Sequence, residues 1–471
     1  MAAAAAAASS PQRPQAVARP VRWLLLAALA HRCAALLLLL LFAHLQRPFD
    51  ASAPASPAPL LRWDSTYFLA IAAPHALRGA PHGYAYEHTA AFMPGTPALL
   101  RVAGTAGGLA AWSSERAAWG ASLACLLAGV ACPALLYLLS VRHFAPRFSL
   151  LAAQLSILAP APMSLVTPTP EAPFALLFLA MCLLLAPPTG ARASAPLLRV
   201  GRFVAAALLG AGTTVFRANG MLSAGLLLWS LLWDMPRGWS VRTLPRFLLV
   251  PLAFAPVVPF ALMQVWLHAR MCHAPADEGL LSQMSSSLFA GSSEGAEWAA
   301  PEWCSGWRGA YGSIQARYWN VGFLRYWTPA QVPNFLLAAP VLVPLLHYLW
   351  RYYLSAPQRI ASRTLLPFLP ASAVGSSRNS ALLPASALPL MHHTLISTGL
   401  LLFVAHTQIA LRLCAAMPAV WWAFASWLVE PARTQPSDKT SLDKRSSYLL
   451  AWLVLWNVAS LVLGAGFYPP A

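Results

Sequence analysis

Long apolar runs recur from residue 21 to the last residues of the chain, and short clusters of Arg, Pro and Gly separate them. Runs near or above about 18 residues can cross a bilayer as helices. We therefore predict an all-α polytopic membrane protein with about eleven transmembrane helices. The predicted spans are 21–45, 117–140, 148–166, 172–187, 200–215, 220–233, 245–267, 333–354, 391–411, 413–429 and 447–466.

The least regular predicted spans lie between residues 148 and 233. Several are short, and Pro residues interrupt the first two, so broken or re-entrant helices stay open as an alternative. The interrupting residues are Pro160, Pro162, Pro168, Pro170 and Pro173.

The charge pattern predicts the orientation. With a cytosolic N-terminus, the cytosolic segments contain nineteen of the 31 Lys and Arg residues and four of the 14 acidic residues. The other side contains eleven basic and ten acidic residues, and Arg32 lies within a span. Because positive loops stay cytosolic, this distribution accounts for the net charge of +17.

Composition excludes several classes of protein. The chain is 58% hydrophobic and 10% charged, and its basic residues are dispersed, so we expect no nucleic-acid partner. Its seven cysteines form no CxxC motif or Cys/His cluster with metal spacing. We therefore expect no structural zinc site, and we also expect no cofactor.

The N-terminus predicts an anchor. We expect residues 1–20 to be a disordered cytosolic segment and residues 21–471 to form one multi-span membrane domain. The first apolar run is too long for an ordinary signal peptide, which favours an uncleaved signal anchor. The small residues Ala51–Ala55 leave cleavage open as the alternative.

Two predicted lumenal loops, 46–115 and 268–332, combine aromatic and charged residues. In the first loop, Asp64 follows Arg62 and Trp63 at the start of a plausible interfacial helix. A carboxylate beside an indole at the membrane boundary suits a general base, so we predict Asp64 as catalytic. The alternative is that Asp64 only caps the helix.

The same loop places Glu87 beside His88 among aromatic residues. Carboxylates in such surroundings are common where sugars are handled, and we predict both residues to bind substrate. The alternative is a solvated turn with an incidental ion pair.

Polar groups also lie at the lumenal ends of two other predicted spans. Arg217 and Asn219 occupy a turn between very apolar segments, where a phosphate partner would explain a guanidinium. Snorkelling toward lipid headgroups is the alternative for Arg217. Glu171 follows a Pro-rich stretch, and complementing the helix N-terminus would be its simplest role.

The second loop alternates aromatic and polar residues from Arg317 to Trp327. Sugar binding and interfacial anchoring would both produce this pattern, and we predict Trp319 and Asn320 to bind substrate. Cys272 and Cys304 lie in this loop, on the side of the membrane predicted to be oxidising. We therefore predict a disulfide between them.

Several of these segments carry a resemblance to a known family. They are Arg62–Trp63–Asp64, Tyr86–Glu87–His88 with Phe92, Pro94 and Gly95, and Tyr318–Tyr326 followed by Val332–Pro340. Together they resemble the PIG-V family of mannosyltransferases over most of the membrane region. The sequence departs from the family pattern at Arg62 and in the Pro-rich stretch before Glu171.

The resemblance implies a GT-C membrane architecture with a lumenal active site in the endoplasmic reticulum. It implies transfer of mannose from dolichol phosphate mannose to a GPI-anchor intermediate, as the second mannose in α-1,6 linkage and with inversion. Asp64 then acts as the base, without a metal, while Arg217, Arg62 or His88 stabilises the phosphate. An accessory membrane subunit is compatible with this expectation.

Three other functions remain alternatives at this point. The first is another dolichol-phosphate-sugar-dependent transferase of the same architecture, because the residues do not reveal the acceptor. The second is a transporter, which would show paired repeats and ionisable groups deep within spans. The third is a noncatalytic membrane subunit, in which Asp64 and Glu87 would be replaceable.

Overall fold

The described part of the chain consists of helices and turns. A computed structural model describes residues 14–49, 58–74, 83–84, 86–108, 111–186, 196–233, 246–272, 301–306, 309–365, 382–429 and 444–468. In order, α1 to α17 are Pro14–Leu45, Asp64–Ala72, Gly95–Gly104, Ser114–Ser140, Pro146–Ile157, Glu171–Leu185, Pro196–Phe216, Ser223–Leu232, Val250–Ala253, Val258–Met271, Gly309–Trp319, Val332–Ser355, Pro357–Leu365, Leu388–Phe403, Ala410–Leu413, Pro418–Val429 and Lys444–Ala465.

Seven helical segments of the described residues are long and apolar enough to cross a membrane. They are Ala18–Leu45, Ser114–Ser140, Leu197–Phe216, Arg246–Met271, Pro329–Ser355, Ala385–Phe403 and Lys444–Ala465. The all-helical, multi-span membrane fold is therefore confirmed. The predicted count of eleven crossings is not confirmed.

The difference in count arises from short or bent helices. The predicted spans 148–166, 172–187 and 220–233 correspond to α5, α6 and α8, which have 12, 15 and 10 residues. The predicted span 413–429 belongs to a pair of helices, Thr407–Ala416 and Pro418–Val429, that bend by 90° at their junction. Pro residues, which cannot donate a backbone hydrogen bond, lie at these breaks.

The break between α5 and α6 is stabilised from two other helices. Arg32 of α1 donates a hydrogen bond to the Ile157 carbonyl at 3.0 Å. Asn457 of α17 donates to the Leu158 carbonyl at 3.0 Å. Irregular backbone is tolerated at membrane depth only where the protein satisfies its polar groups, so these side chains allow the chain to turn and place Glu171 inside the protein.

The main hydrophobic core surrounds α4, α6 and α16. Phe178 of α6 and Trp421, Trp422 and Phe424 of α16 are completely or almost completely buried. Many large apolar side chains of α1, α10 and α12 are instead exposed, among them Leu26, Leu262 and Leu336. Exposed apolar surface of this extent is typical of helices that face lipid.

The two predicted lumenal loops pack against each other. Tyr84 and Met93 of the first loop share a buried cluster with Leu267, Trp303 and Ile314 around the second. The described parts of the two loops therefore form one packed layer. The predicted disordered segment lies mainly outside the described residues, although α1 already begins at Pro14. The alternative cleavage site Ala51–Ala55 lies outside them too.

Candidate active site

The backbone is strained immediately before Asp64. Trp63 has a φ of 54°, which for a bulky residue costs about 1–3 kcal/mol. Its indole Nε1 donates a hydrogen bond to the Tyr468 carbonyl at 3.2 Å. Its ring centroid lies 5.4 Å from that of Phe467. Contacts with the segment after α17 therefore hold the strained turn from which α2 begins.

Arg62 is buried against the same segment. Its Nε donates to the Ala465 carbonyl at 3.4 Å, and its guanidinium carbon lies 5.4 Å from the centroid of the Phe467 ring. Burial lowers the pKa of Arg62. Because only 4% of Arg62 is exposed, its side chain positions the turn before Asp64, and the predicted contact with a phosphate stays a prediction.

Asp64 is the first residue of α2, and its carboxylate faces Arg412. The Arg412 Nη1 donates to Asp64 Oδ2 at 3.1 Å, and 35% of the Asp64 side chain is exposed. No side-chain hydrogen bond caps this helix, so the capping alternative does not describe the contact that Asp64 makes. Its position in the first turn still complements the positive end of the helix dipole.

Glu171 lies behind this pair and is almost completely buried, with 1% of its side chain exposed. Its Oε1 accepts a hydrogen bond from Arg217 Nη1 at 2.5 Å and lies 3.7 Å from Arg412 Nε. The Nε of Arg217 also donates to Asn219 Oδ1 at 3.4 Å. The ion pairs thus run from Asp64 through Arg412 and Glu171 to Arg217.

Four separate elements supply this network of ion pairs. Asp64 and Glu171 begin α2 and α6, Arg217 follows α7, and Arg412 lies on α15. Ser65 helps to bring the first two together, because its hydroxyl donates to the Pro168 carbonyl at 3.1 Å. Two carboxylates and two guanidiniums balance in charge, which makes their burial together tolerable.

Arg412 is the member of the network that the sequence reasoning missed. It lies between the predicted spans 391–411 and 413–429, and the sequence analysis assigned it no role. The signal that could have identified it is a single guanidinium within the apolar stretch 391–429, because an ionisable group in such surroundings is usually functional.

Glu87 connects the two loops. Its Oε1 accepts a hydrogen bond from Trp303 Nε1 at 2.8 Å, and its Oε2 accepts one from the Tyr318 hydroxyl at 2.7 Å. Arg317 Nη1 lies 3.5 Å from the same Oε2. The hydrogen bond to the Glu87 carboxylate raises the pKa of Tyr318, and the nearby Arg317 guanidinium opposes this effect. Glu87 is therefore well placed to hold the second loop over the first.

His88 lies among aromatic rings beside this connection. Its ring centroid is 5.4 Å from that of Tyr67, 5.5 Å from that of Tyr86 and 5.7 Å from that of Tyr318. Burial lowers the pKa of His88, and the neighbouring Glu87 carboxylate opposes that effect. Tyr67 lies one helical turn after Asp64, so His88 is near the catalytic candidate without touching it.

Trp319 and Asn320 lie on the wall of a groove of about 480 Å³. The Trp319 carbonyl accepts a hydrogen bond from His406 at 2.6 Å, and Asn320 donates to the Arg325 carbonyl at 3.4 Å. Asn320 has a φ of 53°, a conformation that Asn tolerates better than most residues. The groove and the ion-pair network therefore lie on segments joined through residues 406–412.

Cys272 and Cys304 are joined by a disulfide, with their Cα atoms 5.5 Å apart. This bond connects the end of α10 to the turn that carries Trp303. The disulfide therefore restrains the position of Trp303, whose indole donates a hydrogen bond to Glu87.

This fold and this site define a membrane-embedded enzyme, with a partly exposed carboxylate at the edge of a buried ion-pair network. The family profile described as mannosyltransferase (PIG-V) matches residues 49–471. The chain belongs to the PIG-V family of mannosyltransferases.

Individual relatives agree with this assignment. A GPI mannosyltransferase 2 from Cryptococcus neoformans is 28% identical over 436 residues, which cover 88% of this chain and 90% of the relative. A GPI alpha-1,6-mannosyltransferase 2 from Cricetulus griseus is 33% identical, over 77% of this chain and 72% of the relative. An archaeal oligosaccharyltransferase structure from Archaeoglobus fulgidus shows a weak likeness, with a TM-score of 0.43 and 14% identity over 94% of this chain and 56% of that chain.

Proposed function

We propose that this protein transfers a mannose from dolichol phosphate mannose to a GPI precursor, as the second mannose in α-1,6 linkage. Membership of the family and the names of the relatives support mannose transfer to such a precursor. The single observation that carries the assignment of the base is the Asp64 carboxylate, 35% exposed and held by Arg412. A GT-C architecture would accommodate both lipid substrates beside it.

The reaction is a single displacement. The 6-hydroxyl oxygen of the acceptor mannose attacks C1 of the donor mannose, and its proton passes to the Asp64 carboxylate. The bond between C1 and the phosphate oxygen breaks, and its electron pair leaves with dolichyl phosphate. Attack opposite the leaving phosphate inverts the β-linked donor to an α-linked product.

Asp64 is suited to accept this proton because of its partners. Among the described residues, the hydrogen bond from Arg412 engages only Oδ2, so Oδ1 is available for an incoming hydroxyl. Arg412 is in turn held by Glu171, and this restrains the orientation of the Asp64 carboxylate.

Arg217 is the guanidinium that we assign to the leaving phosphate. Its Nη1 and Nε contact Glu171 and Asn219. Within the part of the chain that the structure describes, this leaves Nη2 for a phosphate oxygen. Preorganised positive groups aimed at developing charge usually make the largest contribution to catalysis. With this cation in place the reaction does not require a bridging metal, and we expect activity to survive chelation.

The site faces the lumen of the endoplasmic reticulum in this proposal, with the N-terminus in the cytosol. The orientation derives from the excess of Lys and Arg in the other segments. Asp64, Glu171, Arg217 and Arg412 all lie in stretches that this orientation assigns to the lumen, and they meet in one network. This agreement supports the assignment of the four stretches to one side of the membrane, and the charge distribution supports the choice of the lumenal side. An accessory membrane subunit is compatible with the proposal.

The test is transfer from dolichol phosphate mannose to an acceptor with one mannose, in microsomes from cells that lack this activity. Asp64→Asn, at normal abundance, should reduce kcat by at least about 100-fold. Glu115→Gln, an exposed acid at the start of α4, serves as the matched control. Parental activity of Asp64→Asn would disprove the assignment of the base, and loss of activity with a chelator would disprove metal independence.

A further inference from the structure

The groove beside Trp319 has a lining that the reaction at Asp64 does not use. The segment from Arg317 to Asn334 forms one wall, and His406 and Gln408 form the other. Its volume of about 480 Å³ lies within the range of small-molecule sites.

Among the residues that the structure describes, the lining is rich in amides and contains no carboxylate. The Gln408 Oε1 accepts a hydrogen bond from the Tyr326 hydroxyl at 2.5 Å, and the Gln331 Oε1 accepts one from Asn334 Nδ2 at 2.6 Å. These bonds orient the amides and leave the Nε2 groups of both glutamines and the Asn334 Oδ1 for a ligand. Fixed neutral donors and acceptors complement hydroxyl groups, each of which both donates and accepts.

Aromatic faces accompany these amides. Trp319 lines the groove, and the Tyr326 ring stacks on His406 with centroids 4.7 Å apart. Flat rings beside oriented amides suit a ligand with alternating apolar and hydroxyl-bearing faces. A sugar ring has this chemistry.

A path of aromatic rings leads from the groove to Asp64. The Trp319 ring meets Phe92 edge-on at 5.7 Å, and Phe92 stacks on Tyr67 at 5.4 Å. Tyr67 lies one turn after Asp64 on α2. On the opposite wall, Gln408 lies four residues before Arg412, the partner of Asp64. A ligand in the groove can therefore extend to the catalytic carboxylate.

Exposed apolar side chains also lie in the segment that forms the first wall of the groove. Phe323, Leu324 and Trp327 are 74%, 44% and 53% exposed. The backbone here is fastened to the end of α14, where Leu324 N donates to the Phe403 carbonyl at 2.7 Å. Exposed aromatic and apolar groups next to polar ones are typical of the membrane surface. The groove is therefore at the level where the headgroup of a glycolipid would lie.

We infer that this groove binds the sugar residues of the acceptor glycolipid that precede its terminal mannose. The inference rests on the proposed function, and it assigns the acceptor rather than the donor to this surface. Gln331, Asn334 and Gln408 contact the hydroxyl groups, and Trp319 contacts a ring face. Tyr326 is buried against His406 and orients Gln408 from behind. The terminal mannose then extends along Phe92 and Tyr67 to Asp64.

Steady-state kinetics with a synthetic mannosyl-glucosaminyl-phosphatidylinositol acceptor test this inference. Asn334→Ala and Gln408→Ala should each raise the KM for the acceptor about tenfold, because each removes hydrogen bonds to the ligand. The kcat and the KM for dolichol phosphate mannose should change less than twofold. Gln154→Ala on α5, away from the groove, is the matched control and should leave all three constants unchanged.

The outcomes separate this inference from the function on which it rests. If the wild-type protein transfers no mannose to this acceptor, the proposed function fails. If the wild-type protein is active but the groove variants change the KM for the donor, or no KM at all, the inference is overturned.

Photo-crosslinking tests the inference without any substitution. A wild-type protein is illuminated with an acceptor that carries a diazirine on its glucosamine. Labelled peptides that contain residues 317–334 or 406–408 support the inference. Labelling confined to other peptides overturns it, and this result does not depend on whether a variant folds.

Discussion

Arg412 and Asp64 are 348 residues apart in the chain, and Arg412 Nη1 lies 3.1 Å from Asp64 Oδ2. The same guanidinium reaches toward Glu171, with its Nε 3.7 Å from Oε1. One side chain thus sets the relative positions of an exposed and a buried carboxylate. The geometry of the site depends on this cation more than on any residue next to Asp64 in sequence.

Replacement of Arg412 should impair both stability and catalysis. Arg412→Ala leaves the buried Glu171 with one partner fewer, and breaking a buried pair in this way costs about 3–5 kcal/mol. Arg412→Lys keeps the charge, but one ammonium cannot contact both carboxylates. Compared with Arg412→Ala, it should therefore restore the abundance of the protein more fully than it restores kcat. Thermal unfolding in detergent and mannose transfer measure the two effects.

The control for these variants is Arg445→Ala. Arg445 is exposed at the start of α17, so its removal should change stability by less than about 0.5 kcal/mol. Wild-type kcat in Arg412→Ala would contradict the role of Arg412 in positioning the base.

Glu171 and Arg217 should be energetically coupled. Glu171→Gln and Arg217→Met each leave a mostly buried charge with one partner fewer, whereas the double variant removes both members of the pair. We expect the double variant to be about 1–3 kcal/mol more stable than the sum of the single effects predicts. Denaturant or thermal unfolding of all four proteins measures this coupling, and additive effects would show that the ion pair contributes nothing.

Gly95 should not tolerate a larger residue. It begins α3, and a Cβ at this position would lie 2.7 Å from the Val215 carbonyl oxygen and 2.8 Å from the Phe216 ring. Gly95→Ala must therefore displace the end of α7, next to Arg217, at a cost of about 1–3 kcal/mol. Reduced unfolding temperature and reduced transfer activity are the expected results.

Gly225 provides the matched comparison for Gly95. It lies within α8, and a Cβ there would meet no atom within 4 Å. Since Ala is a better helix former than Gly by about 1 kcal/mol, Gly225→Ala should be neutral or stabilising. Equal effects of the two substitutions would show that the close approach at Gly95 is unimportant.

The stability of the loop layer should fall as the pH is lowered. Burial lowers the pKa of His88 from 6.5, so the unfolded chain binds a proton at a higher pH than the folded protein does. The free energy of unfolding therefore decreases as the pH falls through 6.5 to the lowered value, and it decreases no further from this cause below that value.

His88→Phe keeps a ring among the tyrosines but cannot titrate. The unfolding temperature of this variant should fall less than that of the wild type between pH 7.5 and pH 5.0, as measured by tryptophan fluorescence. His44→Phe, at an exposed position near the end of α1, should keep the wild-type pH dependence. Identical pH profiles for His88→Phe and the wild type would disprove this prediction.

The fold was predictable where the hydrophobicity of a single segment determines whether that segment crosses the membrane. Long uninterrupted apolar runs such as Ser114–Ser140 identify membrane spans without any tertiary information. The segment from α5 to α6 was harder, because its path depends on hydrogen bonds from Arg32 and Asn457, which belong to distant helices. Local hydrophobicity cannot show which side chains will satisfy a broken helix.

Only part of the candidate site was predictable from local sequence. Asp64, Glu87 and Arg217 are unusual in their local surroundings, and the sequence indicated them as candidates. Their partners are not local: Glu87 meets Trp303 and Tyr318 across two loops, and Arg217 meets Glu171 across two helices. The strained backbone at Trp63 is also set by tertiary contacts and has no sequence signal.

The contacts of Trp63 with Phe467 and Tyr468 constrain the order of events during biosynthesis. The segment around Asp64 is synthesised early, and Phe467 and Tyr468, which contact Trp63, are synthesised some four hundred residues later. Until that late segment has been inserted, the strained turn lacks its support. The newly made chain therefore becomes active only after residues 467 and 468 have been synthesised, and a premature stop before residue 467 should yield an inserted but inactive product.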